Sequence, residues 1–414
     1  MHACTYDDWC AFNDISHRIR AFNNGIHSMN NTDLKQLRRS WLMQGSIPES
    51  ARLADLSKPV LNSWQRCLQF GLEANQKSLP ENILTGSNLT ARVEQRQELI
   101  RLVQPNMTYL HSLIAGSGGM VLLADQHGVI VHAIGDSDFV PKADRVLLTK
   151  GASWLEQHRG TNAIGTAIIE GGPVVVNGAE HFFETNSFLS CAAAPIFQPD
   201  GKVVGVLDIS SDARVFHPHT LGLVKTTVHS IERQLFSQSK SSYAMVISVA
   251  PSPEGISSVI NGMIGVSEDG LILGIDRFAM NYLGISDIDI GSLKIQQIVD
   301  HSLGRMMDCG KGKTAGTIHQ LSTYTGRPLF FSFQYTKLSQ LDTHSSSTHE
   351  QVPTKVDSGQ AMVEAVEENV TLRGVSKKVI DKTIAQNNGN ISKAARILGV
   401  SRTTLYRYLK SSTD

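Results

Sequence analysis

The chain has 414 residues and no formal net charge, with 38 basic and 38 acidic side chains. Hydrophobic residues make up 41% and charged residues 18%, which fits two to four folded domains and excludes a wholly disordered chain. No run approaches twenty apolar residues and the opening MHACTYDDWCAFNDISHRIR has no signal-peptide core, so a cytoplasmic protein without a membrane span is expected.

In chain order, LPENILTGSNL at 79–89 marks a boundary before a charged helical run that reaches about Leu113. GMVLLADQHGVIVHAIG then reads as two strands around a turn at Gln126-His127-Gly128. Thr161 and Asn162 are placed to cap a helix starting near Ala163. Gly165 inside that helix costs stability, which points to a close backbone approach or a ligand. PVVV adds a strand, and LSCAAAPIFQPDGKVVGVLDISSD reads as a hairpin turning at Pro199-Asp200-Gly201. A long amphipathic helix follows over roughly Pro218 to Phe236. The pattern as a whole predicts an α+β domain with a mainly antiparallel sheet.

Ser237 to Gly255, with its serines and two prolines, reads as a second boundary. Beyond it MIGVSEDGLILGID gives strand, turn and strand, with short helices around Phe278–Leu283 and Ile295–Met306. AGTIHQLS and RPLFFSFQYTKL close a second, smaller sheet through a hairpin over Tyr324 to Pro328. Ser339 to Gln360 is rich in Ser and Thr and nearly empty of large apolar residues, so it reads as a linker.

The end of the chain is different in charge. From Arg373 to Lys410 there are nine basic residues and one acid, Asp381. That segment carries +8 and leaves −8 elsewhere, so one end is built to meet a polyanion. NISKAARILGVSRTTLYRYLK satisfies the demands of a helix-turn-helix one by one. Ala394 and Ala395 allow a close crossing, Gly399 suits the turn, and Ile391, Leu398, Val400, Leu405 and Tyr408 face inward. Asn390 and Ser401 are caps for its two helices. The second helix presents Arg402, Thr403, Thr404, Tyr406, Arg407 and Lys410, and its first turn is the part that enters a major groove. The Arg402 fork matches guanine O6 and N7, whereas Ser392 and Lys393 suit phosphates. Double-stranded DNA is the expected partner, read by a homodimer on a palindrome.

These stretches also carry a resemblance. GNISKAARILGVSRTTLYRYLK is similar to the Fis-type helix-turn-helix. GTNAIGTA, EHF and CAAAPIFQPDGKVVGVLDIS resemble the GAF sensor domain of activators related to the acetoin- and dihydroxyacetone-catabolism regulators, and VLNSWQRCLQFGL resembles their N-terminal segment. GVSEDGLILGIDRFAMNYLGIS resembles a PAS domain, with Asp276 where such domains often carry asparagine. The implied fold is multidomain α+β: a helical segment (1–89), a GAF-like sensor (90–238), a PAS-like domain (255–338), a linker (339–360) and an all-α helix-turn-helix domain (361–414).

Relatives of this architecture usually hold an AAA+ ATPase that remodels the sigma-54 form of RNA polymerase. In this sequence CGKGKTAG has Met307 where a Walker loop needs its leading glycine, and the loop that contacts sigma-54 is not found, so a regulator without its own ATPase is expected. The resemblance implies a small alcohol, ketone or aldehyde as effector, and RNA polymerase as a further partner. Repression, competition with ATPase-bearing relatives, and Fis-like architectural binding are the alternatives.

Candidate effector-lining residues are Asn162, Thr166, Glu180, His181 and Cys191. For Glu180 and His181, a pocket wall and a purely structural role carry equal weight. Cys191 lies in an apolar strand, which argues against a redox switch. The five cysteines are scattered without a CxxC pair, and His217 and His219 lack further ligands at useful spacing, so neither metal nor cofactor is expected. No nucleophile, base and orienting group share a target, so no enzyme is expected.

Overall fold

In the computed structural model the described residues, 31–43, 56–76, 82–215 and 217–336, build two five-stranded antiparallel sheets. Helix α1 (Asn31–Arg38), a π-helical turn (Arg39–Met43), α2 (Lys58–Gln69), α3 (Gly86–Gln95) and α4 (Gln97–Ile114) lead into the first sheet. Its elements are β1 (Gly119–Asp125), β2 (Ile130–Gly135), α5 (Val140–Arg145), α6 (Glu156–Arg159), α7 (Ala163–Glu170), β3 (Val174–Asn177), β4 (Leu189–Phe197) and β5 (Val203–Asp212), followed by α8 (Thr220–Gln238). The strand order is β2-β1-β5-β4-β3.

Both faces of this sheet are covered, which is why β1 is buried along its whole length and reads as an apolar run rather than an alternation. One face carries Val121, Leu123, Ala192, Ala194, Leu207 and Ile209 against Val103 and Met107 of α4 and Val224 and Ile231 of α8. The other carries Met120, Leu122, Leu189, Cys191, Ala193 and Val206 under Trp64, Trp154, Phe182 and Phe183. The helices ahead of the sheet belong to this second core. Trp64 of α2 is fully buried, stacks edge-on against Trp41 at 5.6 Å, and donates Nε1–H to the Glu180 carbonyl at 2.7 Å.

The second sheet contains β6 (Met245–Ala250), β7 (Gly262–Val266), β8 (Ile272–Ile275), α9 (Arg277–Leu283), α10 (Leu303–Cys309), β9 (Ile318–Ser322) and β10 (Pro328–Tyr335), in the order β8-β7-β6-β10-β9. Its centre corrects one expectation. The segment Ser237–Gly255, read as a boundary, contains β6, which lies between β7 and β10. The apolar run MVISVA is short enough to be hidden by the serines before it and the prolines after it. The expected helix over Ile295–Met306 is broken into a 3₁₀ turn, Ile295–Gln297, and α10.

The β4–β5 hairpin turns where expected, with Gly201 at φ 85° and the Gln198 N–H bonded to the Lys202 carbonyl at 2.8 Å. Its tip reaches the second sheet, where the Ile275 N–H donates to the Pro199 carbonyl at 2.9 Å. The described residues all fall within one unit, Met1–Thr343. Every residue assigned to DNA binding from sequence, from Ser392 to Lys410, lies outside the described residues, as does the expected linker.

Candidate functional site

The second core of the first sheet is unusually polar for an interior. Asn162 supplies the predicted cap: its Oδ1 accepts the Gly165 N–H at 2.8 Å, and its Nδ2 donates to the Gly160 carbonyl at 2.8 Å. Thr166, one turn into α7, is fully buried and donates to Glu156 Oε1 at 2.8 Å. Glu156 is in turn clamped by both forks of Arg66, with Oε2 at 2.7 Å and Oε1 at 2.8 Å. Arg66 also reaches Glu170 at 2.8 Å, and these carboxylates raise its pKa. Ser63 Oγ donates to Thr161 Oγ1 at 2.7 Å. The Ser63, Arg66, Glu156, Thr161, Thr166 and Glu170 side chains tie α2 to α6 and α7, and Asn162 is bonded to the backbone around it. Asn162 and Thr166 therefore serve the frame of the core.

Glu180 and His181 behave differently. The Glu180 carboxylate accepts the Asn177 N–H at 2.7 Å, and burial pushes its pKa up to about 7. His181 is fully buried, and its Nδ1 lies 3.0 Å from the Gly178 carbonyl. A carbonyl only accepts, so Nδ1 carries the proton and Nε2 holds a bare lone pair. Burial pushes the imidazole down to about 4, which keeps it neutral. Nε2 has no partner.

Cys191 is 3% exposed on β4, opposite Ser210 of β5. Ser210 Oγ lies 3.0 Å from the Cys191 sulfur and 2.6 Å from Asp208 Oδ2. Burial holds the Cys191 thiol well above its ordinary pKa and pushes Asp208 up to about 7. A protonated, buried thiol is neither a nucleophile nor a redox sensor. Ser210 has a carboxyl but no imidazole among its hydrogen-bond partners, so it is not activated as a base-assisted nucleophile would be.

Sequence reasoning passed over Arg159, Asn186 and Asp208. Each is 0% exposed, and each has side-chain atoms without a hydrogen-bond partner: all three nitrogens of Arg159, both amide atoms of Asn186, and Oδ1 of Asp208. For Asp208 the available signal is a carboxylate inside the apolar run VLDIS; Arg159 and Asn186 sit in polar stretches that carry none. Each of these groups is a buried donor or acceptor left open in the described residues. Among the described residues no cluster of three or more His, Cys, Asp or Glu is arranged to hold a metal ion.

In the second domain Asp276 caps α9, its Oδ1 accepting the Ala279 N–H at 2.8 Å. The Lys311–Thr317 loop is pinned by Thr314, whose hydroxyl donates to the Asp308 and Lys311 carbonyls. No helix among the described residues is long and apolar enough to cross a membrane.

Two segments of the chain match known families. Residues 30–233 match the family described as "MimR, N-terminal domain", and residues 371–411 match "Bacterial regulatory protein, Fis family". One chain thus carries a segment similar to the MimR N-terminal domain and a segment similar to the Fis family. The first match spans α1 and α2 as well as the first sheet, and these share one core. A signal-transduction and transcriptional-control protein of Clostridium beijerinckii is 28% identical over 250 residues, covering 60% of this chain and 39% of that protein. The acetoin dehydrogenase operon transcriptional activator AcoR of Bacillus subtilis is 32% identical over 195 residues, covering 47% of this chain and 32% of that protein. The propane 2-monooxygenase operon transcriptional activator MimR of Mycolicibacterium smegmatis is 28% identical over 211 residues, covering 50% and 34%. The chain thus spans about a third of the length of these curated relatives. Among solved structures, the Escherichia coli DhaR(N)–DhaL complex aligns over 68% of this chain and 100% of that one, at 14% identity and a TM-score of 0.42.

Proposed function

We propose that the protein is a transcriptional regulator in which the MimR-type domain takes a small-molecule effector and the Fis-family segment binds specific double-stranded DNA. The observation that carries this reading is the presence of both matched segments in one chain. The relatives named for transcriptional control support it, and so does the +8 charge gathered between Arg373 and Lys410. The buried, half-satisfied polar core supports the effector half. An effector changes DNA occupancy only by favouring one of two arrangements of the chain, so its affinity must differ between them.

In this reading Arg402, Thr403, Thr404, Tyr406, Arg407 and Lys410 are presented to the DNA, Ser392 and Lys393 hold phosphates, and Ser401 caps the recognition helix at the same surface. A homodimer places two such units on a palindrome. The test is a genome-wide map of DNA bound by the purified chain and by its Arg402→Ala variant. A few palindromic sites, each weakened by about 1–3 kcal/mol in the variant, are expected. Diffuse binding that the variant leaves unchanged would refute the reading and point to an architectural DNA-binding protein.

A further inference from the structure

One guanidinium in the first core has nothing to hold. Arg159 ends α6 and is 0% exposed, and its Nε, Nη1 and Nη2 all lack acceptors. Arginine stays charged in proteins, and a buried charge without a partner is among the most costly groups a fold can contain. The nearest acid in sequence, Glu156, gives its oxygens to Arg66 and Thr166. Neither cation–ring contact among the described residues involves Arg159. Burial is the one influence that moves its pKa, and it moves it down.

The segment that packs on Gly160 also carries groups without partners. Gly160 stands so close to Phe182 that a Cβ there would lie 2.6 Å from the Phe182 Cβ, and the Phe182 N–H bonds to the Thr161 carbonyl at 3.3 Å. His181 precedes Phe182 and holds the bare Nε2 acceptor. Asn186, five residues on from His181, has both amide atoms free of partners. A cation without an acceptor and an imidazole without a donor therefore come from two segments that cross at Gly160 and Phe182.

We propose that Arg159 anchors a small carboxylate in this core. A carboxylate presents two oxygens at the spacing of the guanidinium fork and cancels its charge. An alcohol, ketone or aldehyde, which the family resemblance implies, would satisfy a hydrogen bond and leave the charge standing. The proposal rests on the reading of the MimR-type domain as a ligand sensor.

The test is thermal unfolding of the full chain without DNA, comparing wild type with Arg159→Met and Arg159→Lys. The probes are sodium acetate, lactate and benzoate, with propane-1,2-diol and benzyl alcohol as uncharged matches at equal ionic strength. A carboxylate should raise the melting temperature of the wild-type chain. Arg159→Met should melt about 2–4 °C higher than wild type without ligand, since it removes an unpaired buried charge, and should lose the carboxylate response. Arg159→Lys keeps the charge but not the fork, and should respond with at least about tenfold weaker half-saturation. A wild-type chain indifferent to all three carboxylates would overturn the proposal. So would uncharged matches acting equally well, or an Arg159→Met that melts lower and still responds. Because DNA is absent, these failures leave the regulator reading intact. A carboxylate that stabilises the chain through Arg159 but leaves DNA occupancy unchanged supports the site and counts against the regulator reading.

Discussion

The Arg277 guanidinium lies 3.5 Å from the centre of the Phe197 ring, placing the first residue of α9 over the last residue of β4. The two sheets thus meet through a cation and a ring as well as through the Ile275–Pro199 hydrogen bond. Arg277 also reaches the Asp287 carboxylate at 3.2 Å, which fixes its plane over Phe197.

Removing this cation should loosen the junction without unfolding either sheet. A partly desolvated cation–ring pair contributes about 1 kcal/mol. Arg277→Ala should therefore lower stability by about that amount and speed hydrogen exchange at the Ile275 amide. Unchanged protection at Ile275 would mean that the hairpin tip alone holds the sheets together.

The same junction makes stability depend on pH. Glu232 of α8 is 8% exposed, and its Oε1 accepts the Phe197 N–H at 2.9 Å. Burial pushes its pKa up to about 7, a backbone hydrogen bond and Arg277 pull it down, and Asp276 raises it further. An acid whose pKa is raised on folding binds more protons in the folded state. Its contribution is therefore fully present below the ordinary value of 4.5 and is lost as pH rises through about 7. Asp208 and Glu180, also near 7, act in the same direction, while His181, held near 4, opposes them below its ordinary 6.5. Glu232→Gln keeps an acceptor for the Phe197 N–H and removes one acid. Its stability relative to wild type should rise between pH 5 and pH 8 by on the order of 1–3 kcal/mol, measured by urea unfolding. A difference that stays constant across that range would show that Glu232 ionises freely in the folded chain.

Local signals in the sequence carried most of the fold. The hairpin at Pro199-Asp200-Gly201 and the helix capped by Asn162 stand where turn and cap chemistry put them. β6 was hidden because a central strand buried on both faces has no alternation, and its six residues sit between serines and prolines. The candidate site was legible only in part. His181 and Cys191 are buried in the core that the sequence pointed to, and Asp208 was signalled by its apolar run, but Arg159 looks like a surface charge until the strands and helices are closed around it. Whether a charge finds a partner is a tertiary fact, and no spacing rule announces it.

At Gly165 the sequence alone pointed to a close approach, and the structure supplies its partner. A Cβ at Gly165 would stand 2.5 Å from the Trp154 carbonyl oxygen and 2.8 Å from the Glu156 nitrogen, both backbone atoms that cannot swing aside. Alanine there gains about 1 kcal/mol of helix propensity. It must also push α7 away from the segment that carries Glu156 and Arg159, which costs about 1–3 kcal/mol or more. Gly165→Ala should therefore be destabilised in urea unfolding. Gly222, in the first turn of α8 with nothing within 4 Å of its would-be Cβ, is the matched control, and Gly222→Ala should gain a few tenths to about 1 kcal/mol. Equal gains at both positions would mean that α7 is free to shift. In that case the Glu156 clamp, and the packing that buries Arg159, would be looser than the geometry shows.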